Sequence, residues 1–492
     1  MKKIIKYFWT GALGVVSLVG AMSFFHESGF VSGFLAVLVW VAFMSAHVSK
    51  MGYLKAEAAS GLLDVDETAT WLARLKHPYH LKALGDPVFV GARPGPRAEL
   101  LPVTIPPEVF SKNHVSILGA SGTGKSKLAA QVLAQLSRHG NAVVVIDPKD
   151  DEYLPGILNA QSNTEGRPFV YINLRAATPQ YNPFAGCTEE QREQLLQAGL
   201  NLDPSGDPAV DFYRGEDRDA CAALIRSGAS NMVEMLQAGA ELGAVTSRVN
   251  FWRELQQLAR VKAMHTDSGP DLAAAIEAGG VVYIVGDTDD LNVKGAQRML
   301  LARIVQIIKR REREGARQVA LFLDEFKYSL SNVALRALGT IRDRRCNLLL
   351  AYQSYGDLAD CGTLPPVAVL GAARENTTIK FVYKLEDAKT AAEFSQVAGE
   401  KRVTVESANK LLDEGREAGT LREANRAAVT VDMLTTNMPK PLAGEASVCW
   451  VFGLGPAFAL ATMHLPVGPA PQVVAAPAID EPAALPTAQQ LI

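Results

Sequence analysis

With 492 residues the chain exceeds one ordinary domain, which predicts two or three units. Its 49 lysines and arginines against 52 aspartates and glutamates leave a formal net charge of −3. That balance excludes a global pull toward nucleic acid or anionic lipid, so any such contact has to be local. Five scattered cysteines without a C-x-x-C pair argue against a zinc site or a disulfide framework.

The chain opens on two uncharged apolar runs, Tyr7 to Phe25 and Ser28 to Ser49, separated by little more than His26-Glu27. Each approaches the ~20 residues that cross a ~30 Å hydrocarbon core, which predicts a transmembrane hairpin over residues 1–55. Lys2, Lys3 and Lys6 precede it and Lys50 and Lys55 follow it, so both ends face the cytoplasm. The first run also fits a cleaved signal peptide; the second would still leave the remainder cytoplasmic. The expected location is the cytoplasmic membrane, crossed more than once, with the bulk of the chain in the cytosol.

Residues 56–185 read as the first part of a nucleotide-binding domain. Thr70 to Leu84 has helical spacing, and Val88 to Ile105 reads as short strands broken by Gly91, Pro94-Gly95-Pro96 and Pro102. An apolar run, Val115 to Leu118, then leads into Gly119-Ala120-Ser121-Gly122-Thr123-Gly124-Lys125-Ser126, and a helical pattern follows from Lys127. Strand, glycine-rich turn and helix in that order make a P-loop. Its backbone N–H groups and the positive end of the helix dipole wrap phosphates. The residues expected around ATP are Gly119 through Lys127, with Lys125 on the β- and γ-phosphates and Ser126 ligating Mg2+. Asn141 to Ile146 is a continuous apolar strand, as in a parallel sheet buried on both faces, and ends in Asp147-Pro148-Lys149-Asp150-Asp151. Phe169 to Leu174 reads as a further strand.

Helical periodicity takes over across residues 186–267, an all-helical inserted domain. Cys187 to His265 holds twelve acids against eight bases, a poor platform for phosphate backbones and a suitable one for a basic protein. Residues 268–464 complete the nucleotide-binding domain. Val281 to Val285 is a strand and about Asn292 to Glu314 a long helix. Lys294 to Arg317 carries eight bases against Glu312 and Glu314. Within it, Lys309-Arg310-Arg311-Glu312-Arg313 read either as favourable cations at a helix C-terminus or as a basic patch for nucleic acid or a neighbouring subunit. Any contacts with DNA are expected in this stretch. Val319 to Leu323 is an apolar strand that ends in Asp324-Glu325, a Walker B pattern. Asp324 is expected to hold Mg2+ through its water shell and Glu325 to polarise the attacking water. Asn347 to Tyr352 ends at Gln353, an amide placed to sense the γ-phosphate. Arg342 is the candidate for a guanidinium supplied in trans to a neighbouring subunit, with Arg344 and Arg345 as alternatives. Ala446 to Phe452 reads as the last strand, and the proline- and alanine-rich residues 465–492 as a disordered tail.

These motifs, in this order, resemble the type IV coupling proteins of bacterial conjugation. The likeness is carried by Leu118 to Ser126, Ile146-Asp147-Pro148-Lys149, Tyr181-Asn182-Pro183-Phe184, Leu323-Asp324-Glu325-Phe326, Tyr352-Gln353-Ser354, and Glu375-Asn376-Thr377 with Asp387 and Thr390. It runs from the membrane hairpin to about residue 455. Departures occur at Phe326-Lys327-Tyr328, where the family usually has proline or glycine, and at Arg342-Asp343-Arg344-Arg345, where a glycine is usual. The resemblance implies an α/β fold with a RecA-like P-loop core and a mostly parallel sheet. It also implies a homo-hexameric ring, DNA in its channel, and docking to a relaxase and to type IV secretion channel proteins in the bacterial inner membrane. The expected activity is an ATP-driven DNA translocase. Two alternatives stand beside it: a septal-type chromosome translocase, and a nucleotide-gated substrate receptor without pumping activity.

Overall fold

The computed structural model describes residues 87–94, 100–361, 364–410, 417–441, 446–462 and 465–479. The expected hairpin over 1–55 and the helix over 70–84 lie outside the described residues. Among the described residues no helix is long and apolar enough to cross a membrane.

The described residues form thirteen strands: β1 (Val88–Pro94), β2 (Leu100–Ile105), β3 (His114–Leu118), β4 (Ala142–Asp147), β5 (Phe169–Asn173), β6 (Val281–Val285), β7 (Val319–Leu323), β8 (Cys346–Tyr352), β9 (Thr377–Val382), β10 (Glu400–Lys410), β11 (Glu417–Ala427), β12 (Ser447–Phe452) and β13 (Phe458–Thr462). Eleven form one sheet in the order β2-β1-β13-β12-β9-β3-β8-β7-β4-β6-β5. From β9 to β5 all neighbours are parallel; β12, β13 and β1 add antiparallel pairs at the other side. The parallel block explains why the central strands are continuous apolar runs. Every residue of β3, β4, β6, β7 and β8 is buried, because helices cover both faces. Residues 395–429 belong to a separate compact unit, the antiparallel hairpin β10–β11, paired from Glu400↔Ala427 to Lys410↔Glu417.

The helices Lys125–Arg138 and Tyr153–Glu165 pack together, and their apolar residues join one core cluster with Val143, Val145, Tyr283, Phe322 and Leu349 of the sheet. Between Glu189 and Met264 the described structure is helical, with starts fixed locally by side chains. Thr188 and Gln191 form a reciprocal capping box, Asp207 accepts from the N–H groups of Ala209 and Val210, and Asn231 accepts from that of Glu234. This helical region meets the helix Leu291–Arg310 where glycine faces glycine. A Cβ on Gly199 would lie 3.0 Å from Leu258 and 3.2 Å from Met299, and one on Gly295 3.0 Å from the Gly199 carbonyl.

Several expectations change. The long helix ends at Arg310 rather than Glu314, because Arg311 turns out of it and gives its guanidinium to the carbonyls of Arg317 and Arg344 and to Glu277. β12 is not the last strand, since β13 pairs with it from Ser447↔Thr462 onward. Leu465 to Ile479 has no helix or strand, yet it is held against the large unit, unlike the expected disordered tail. Leu465 N–H donates to the Tyr153 hydroxyl (2.8 Å), Ala476 N–H to the Pro179 carbonyl (2.8 Å) and Ile479 N–H to the His265 carbonyl (3.2 Å). Such a composition has no core of its own, but it can order by laying backbone along one that exists. Gly156 and Gly468 allow that approach: a Cβ on Gly156 would sit 2.8 Å from the Gly468 carbonyl. Gly156→Val is therefore expected to lift this strap from its helix, read as faster proteolysis within residues 465–479 and little change elsewhere.

His114, at the start of β3, ties three elements. Its Nδ1 accepts from Leu348 N–H of β8 (2.9 Å) and its Nε2 donates to the Leu338 carbonyl (3.1 Å). Only the neutral ring can do both. Burial, with help from the nearby charge of Arg342 and against the pull of the Leu338 carbonyl, lowers its pKa from 6.5 to about 4. The unfolded chain takes up this proton below pH 6.5, so the contribution is present above that pH and lost as pH falls toward 4. At pH 5 the loss is about 2 kcal/mol. Urea unfolding at pH 7 and pH 5 should show this extra loss in the wild type and not in His114→Gln; equal losses would refute it.

Candidate nucleotide site

In a parallel sheet the carboxyl ends of the strands share one edge, and the loops leaving them make the binding crevice. Here that edge gathers the turn after β3, the acids after β7 and the loop after β4. A cleft there is lined by Gly122, Gly124, Lys125, Ser126, Lys127, Lys149, Asp151, Tyr153, Asp324 and Glu325.

The glycine-rich turn takes its shape from backbone that only glycine accepts readily. Gly119, Gly122 and Gly124 have φ of 150°, 75° and 114°. Two are also hemmed in: a Cβ on Gly119 would lie 2.6 Å from Tyr383 Cβ, and one on Gly124 2.2 Å from Ser447 Oγ. The turn is tied down by Gly119 N–H to the Tyr352 carbonyl (3.2 Å) and Ala120 N–H to the Lys384 carbonyl (2.8 Å). Thr123 Oγ1 donates to the Ala120 carbonyl (2.8 Å), whereas Ser121 stands exposed at the tip. Lys125 is buried and donates to the carbonyls of Gly119 (2.6 Å) and Ala120 (3.3 Å), curling over the space that a phosphate chain would fill. Burial lowers its pKa, with Glu325 pulling the other way.

Opposite stand the acids. β7 lies beside β4, with Ile146 opposite Leu323 and the Asp324 N–H donating to the Ile146 carbonyl (3.0 Å). Asp324 therefore faces Asp147 across two buried strand ends. Burial first, then the charges of Asp147 and Glu325, raise the Asp324 carboxyl to about 7. Asp147 is raised by burial too, although it accepts from Tyr283 Oη (2.6 Å) and from the N–H groups of Lys149 (2.8 Å) and Asp151 (2.9 Å). Glu325 has a left-handed backbone, φ 39°, and is only 2% exposed. Its carboxylate is ion-paired with Lys149 Nζ.

Among the described residues no group of three His, Cys, Asp or Glu side chains is arranged to hold a metal unaided. The donor set nevertheless fits Mg2+, which takes most of its ligands from phosphates and water and needs one or two protein oxygens. Ser126 and Asp324 line the same cleft, and the crowded acids around Asp324 favour an added cation.

Not every expected residue arrives there. Gln353 is exposed at the tip of β8, one residue past the Tyr352 carbonyl that holds Gly119, so it reaches the right edge without lining the cleft. Arg342 lies elsewhere. It precedes β8 at the amino end of the sheet, about 20 Å from the carboxyl edge for a strand of that length. Arg344 and Arg345 share that end and donate to the carbonyls of Arg311 (3.3 Å) and Ala316 (2.6 Å). None of the three reaches the cleft of its own chain. Conversely, Lys149, Asp151 and Tyr153 line the cleft although the sequence assigns them no role. The run Asp147 to Asp151 at a strand's carboxyl end is their one signal.

The basic stretch Lys294 to Arg317 is also less open than its charge suggests. Arg298 donates to the carbonyls of Ala198 and Gly199, Arg303 to Ala185, Arg311 to Arg317 and Arg344, and Arg317 to Gly140 and Glu277. Lys294 lies over the Tyr328 ring. Lys309, Arg310 and Arg313 remain exposed. In the helical region, Arg214 and Arg218 donate to the carbonyls of Asp203 and Leu202, so they serve that loop.

Comparison with known proteins points one way. Residues 90–177 match the family model described as the central domain of the helicase HerA, and residues 318–439 that of the TraM recognition site of TraD and TraG. A curated relative, Mobilization protein A of Escherichia coli, is 31% identical over 314 residues, which are 62% of this chain and 58% of that protein. The chain thus spans less than two thirds of that relative's length. Solved structures of the bacterial conjugative coupling protein TrwB share the fold at 17% identity. The unbound form superposes with a TM-score of 0.57 over 81% of this chain and 92% of that one. The form in complex with ADP and Mg2+ gives 0.55 over 74% and 88%.

The pinned turn yields a prediction. Gly124→Ala would need a side chain at φ 114° and a Cβ inside Ser447. It is expected to weaken ATP binding at least about tenfold through a misplaced turn. Calorimetric titration with a non-hydrolysable ATP analogue checks this; unchanged affinity would contradict it.

Proposed function

From the premise that two family models in order along the chain and a curated relative support membership of the type IV coupling protein family, we propose that this protein is the ATP-driven coupling ATPase of a bacterial conjugation system. Its work is to move DNA, delivered with a relaxase, toward a type IV secretion channel. The observation that carries the reading is the cleft where the glycine-rich turn, Lys125, Ser126, Asp324 and Glu325 converge at the carboxyl edge of the parallel sheet.

The roles follow from that arrangement. Backbone N–H groups from Gly119 to Lys127 cradle the phosphates, and Lys125 leaves its two carbonyls for phosphate oxygens. Ser126, and Asp324 through the ion's water shell, would hold Mg2+, which when bound would neutralise charge that develops on the phosphates. Glu325 orients and polarises the attacking water. Gln353, next to the turn's first residue, senses the γ-phosphate. The candidates for an arginine supplied in trans are Arg342, Arg344 and Arg345. These face the opposite end of the sheet, so only a neighbouring copy in a homo-hexameric ring could bring one to the cleft. The uncharged runs before Ser49 anchor the protein in the inner membrane with the ATPase in the cytoplasm. DNA passes along the nucleotide core, where exposed Lys309, Arg310 and Arg313 supply local positive charge, and the acidic helical region receives the protein substrate.

Two substitutions separate binding from chemistry. Lys125→Ala should lose ATP affinity and, with it, hydrolysis. Glu325→Gln should lose no affinity, and turnover should fall about a hundredfold or more, because Mg2+ would remain held while the water loses its orienting group. Equal loss of affinity in both variants would overturn these roles. Absence of DNA-stimulated turnover in the wild type would overturn the translocase.

A further inference from the structure

We infer that Lys149 is a latch on Glu325: it holds the carboxylate away from water in the nucleotide-free site and releases it when a third phosphate offers its ammonium a better partner. The inference deepens the ATPase reading above and rests on it.

The two residues meet because their strands do. β4 and β7 are paired with Ile146 opposite Leu323, so Lys149, three residues on, faces Glu325, two residues on. The backbone carrying Lys149 is fixed. Its N–H and that of Asp151 both bind the Asp147 carboxylate, which Tyr283 holds from β6. Movement is therefore left to the four-carbon stem, and that side chain is 40% exposed toward the cleft it shares with Lys125. Glu325, by contrast, is buried on a left-handed backbone and followed at once by a short 3-10 helix, Phe326–Ser329. The mobile partner is the lysine.

The two lysines do different things. Lys125 gives its protons to the carbonyls of Gly119 and Ala120 within the turn. Lys149 gives one to Glu325. A carboxylate oxygen engaged by an ammonium has fewer lone pairs for water and less basicity, so the paired state is unsuited to orient a nucleophile. A triphosphate adds a strongly charged set of acceptors to the same cleft, and an ammonium is a point charge that can turn between acceptors by rotating its stem. ADP ends one phosphate short and leaves the pair closed. The pair thus ties the readiness of Glu325 to the presence of the γ-phosphate and makes Lys149 a positioning residue.

The test measures binding, separate from turnover, on the purified full chain with Mg2+, using ADP and a non-hydrolysable ATP analogue. Lys149→Met should weaken the analogue about tenfold or more and change ADP by less than about threefold, since only the former loses a charged hydrogen bond. Lys149→Arg should keep most of the preference. Glu325→Gln should bind the analogue more tightly than wild type, because it frees Lys149, and the double variant Lys149→Met with Glu325→Gln should lose that gain. Such non-additivity is the signature of the pair. Equal weakening of analogue and ADP by Lys149→Met, or additive effects in the double variant, would overturn the latch. Failure of the wild type to bind either nucleotide would instead sink the ATPase reading itself.

Discussion

The rest of the structure depends on holding five charges together with little water. Asp147, Asp324 and Glu325 sit against Lys125 and Lys149 at the carboxyl ends of β4 and β7 and in the turn after β3, and all except Lys149 are nearly buried. Isolated charges at such depth are costly, and like charges side by side cost more. Burial first, and then the charges of Asp147 and Glu325, raise the Asp324 carboxyl to about 7. What makes it tolerable is density of partners: Asp147 accepts three hydrogen bonds, and Glu325 is paired with Lys149. The parallel sheet supplies the rest. Strands buried on every residue cannot tilt or slide, so their carboxyl ends hold the acids at fixed separations.

The antiparallel side of the sheet has a part in this. Tyr383, just past β9, and Ser447, which opens β12, are the side chains from beyond the turn that close on Gly119 and Gly124, with Thr123 of the turn itself also against Gly119. Tyr383 is itself held by a hydrogen bond to Thr462 of β13 (3.0 Å). The neighbouring Lys384 carbonyl then accepts from Ala120 N–H. A turn with three glycines is entropically soft by itself. Here strands far downstream in sequence make it stiff, so that its N–H groups are set before any phosphate comes.

Much of this was legible in the sequence, for physical reasons that differ by element. β3, β4, β6, β7 and β8 announced themselves because strands buried on both faces have few polar residues to break the pattern. Lys125, Ser126, Asp324 and Glu325 were legible because phosphate and magnesium chemistry admits few residue types at that spacing. β13 and the β10–β11 hairpin were missed. Phe458–Thr462 is short and follows Gly453 and Gly455, and Glu400–Lys410 and Glu417–Ala427 are too charged to read as strands. The strap at 465–479 was missed because composition speaks only to whether a segment can fold by itself. Lys149 needed pairing register: nothing in Asp147-Pro148-Lys149 says that its ammonium meets a residue 176 positions away.

Charge counting failed more instructively. The basic run from Lys294 to Arg317 and the pair Arg214 and Arg218 look alike in sequence, as solvated cations awaiting an anion. In the fold, Arg214, Arg218, Arg298, Arg303, Arg311, Arg317, Arg344 and Arg345 each donate to backbone carbonyls at helix ends and loops. A planar guanidinium with five donors suits that task, since last-turn carbonyls lack partners and lie in several directions. The positive field offered to a phosphate backbone is therefore set by the exposed Lys309, Arg310 and Arg313, partly offset by the equally exposed Glu312 and Glu314, more than by the eight bases of the run. Three such charges on one subunit give weak attraction in physiological salt. In the proposed ring the same three would recur around the channel. The sum over those copies would then set how firmly such a ring could hold a charged polymer.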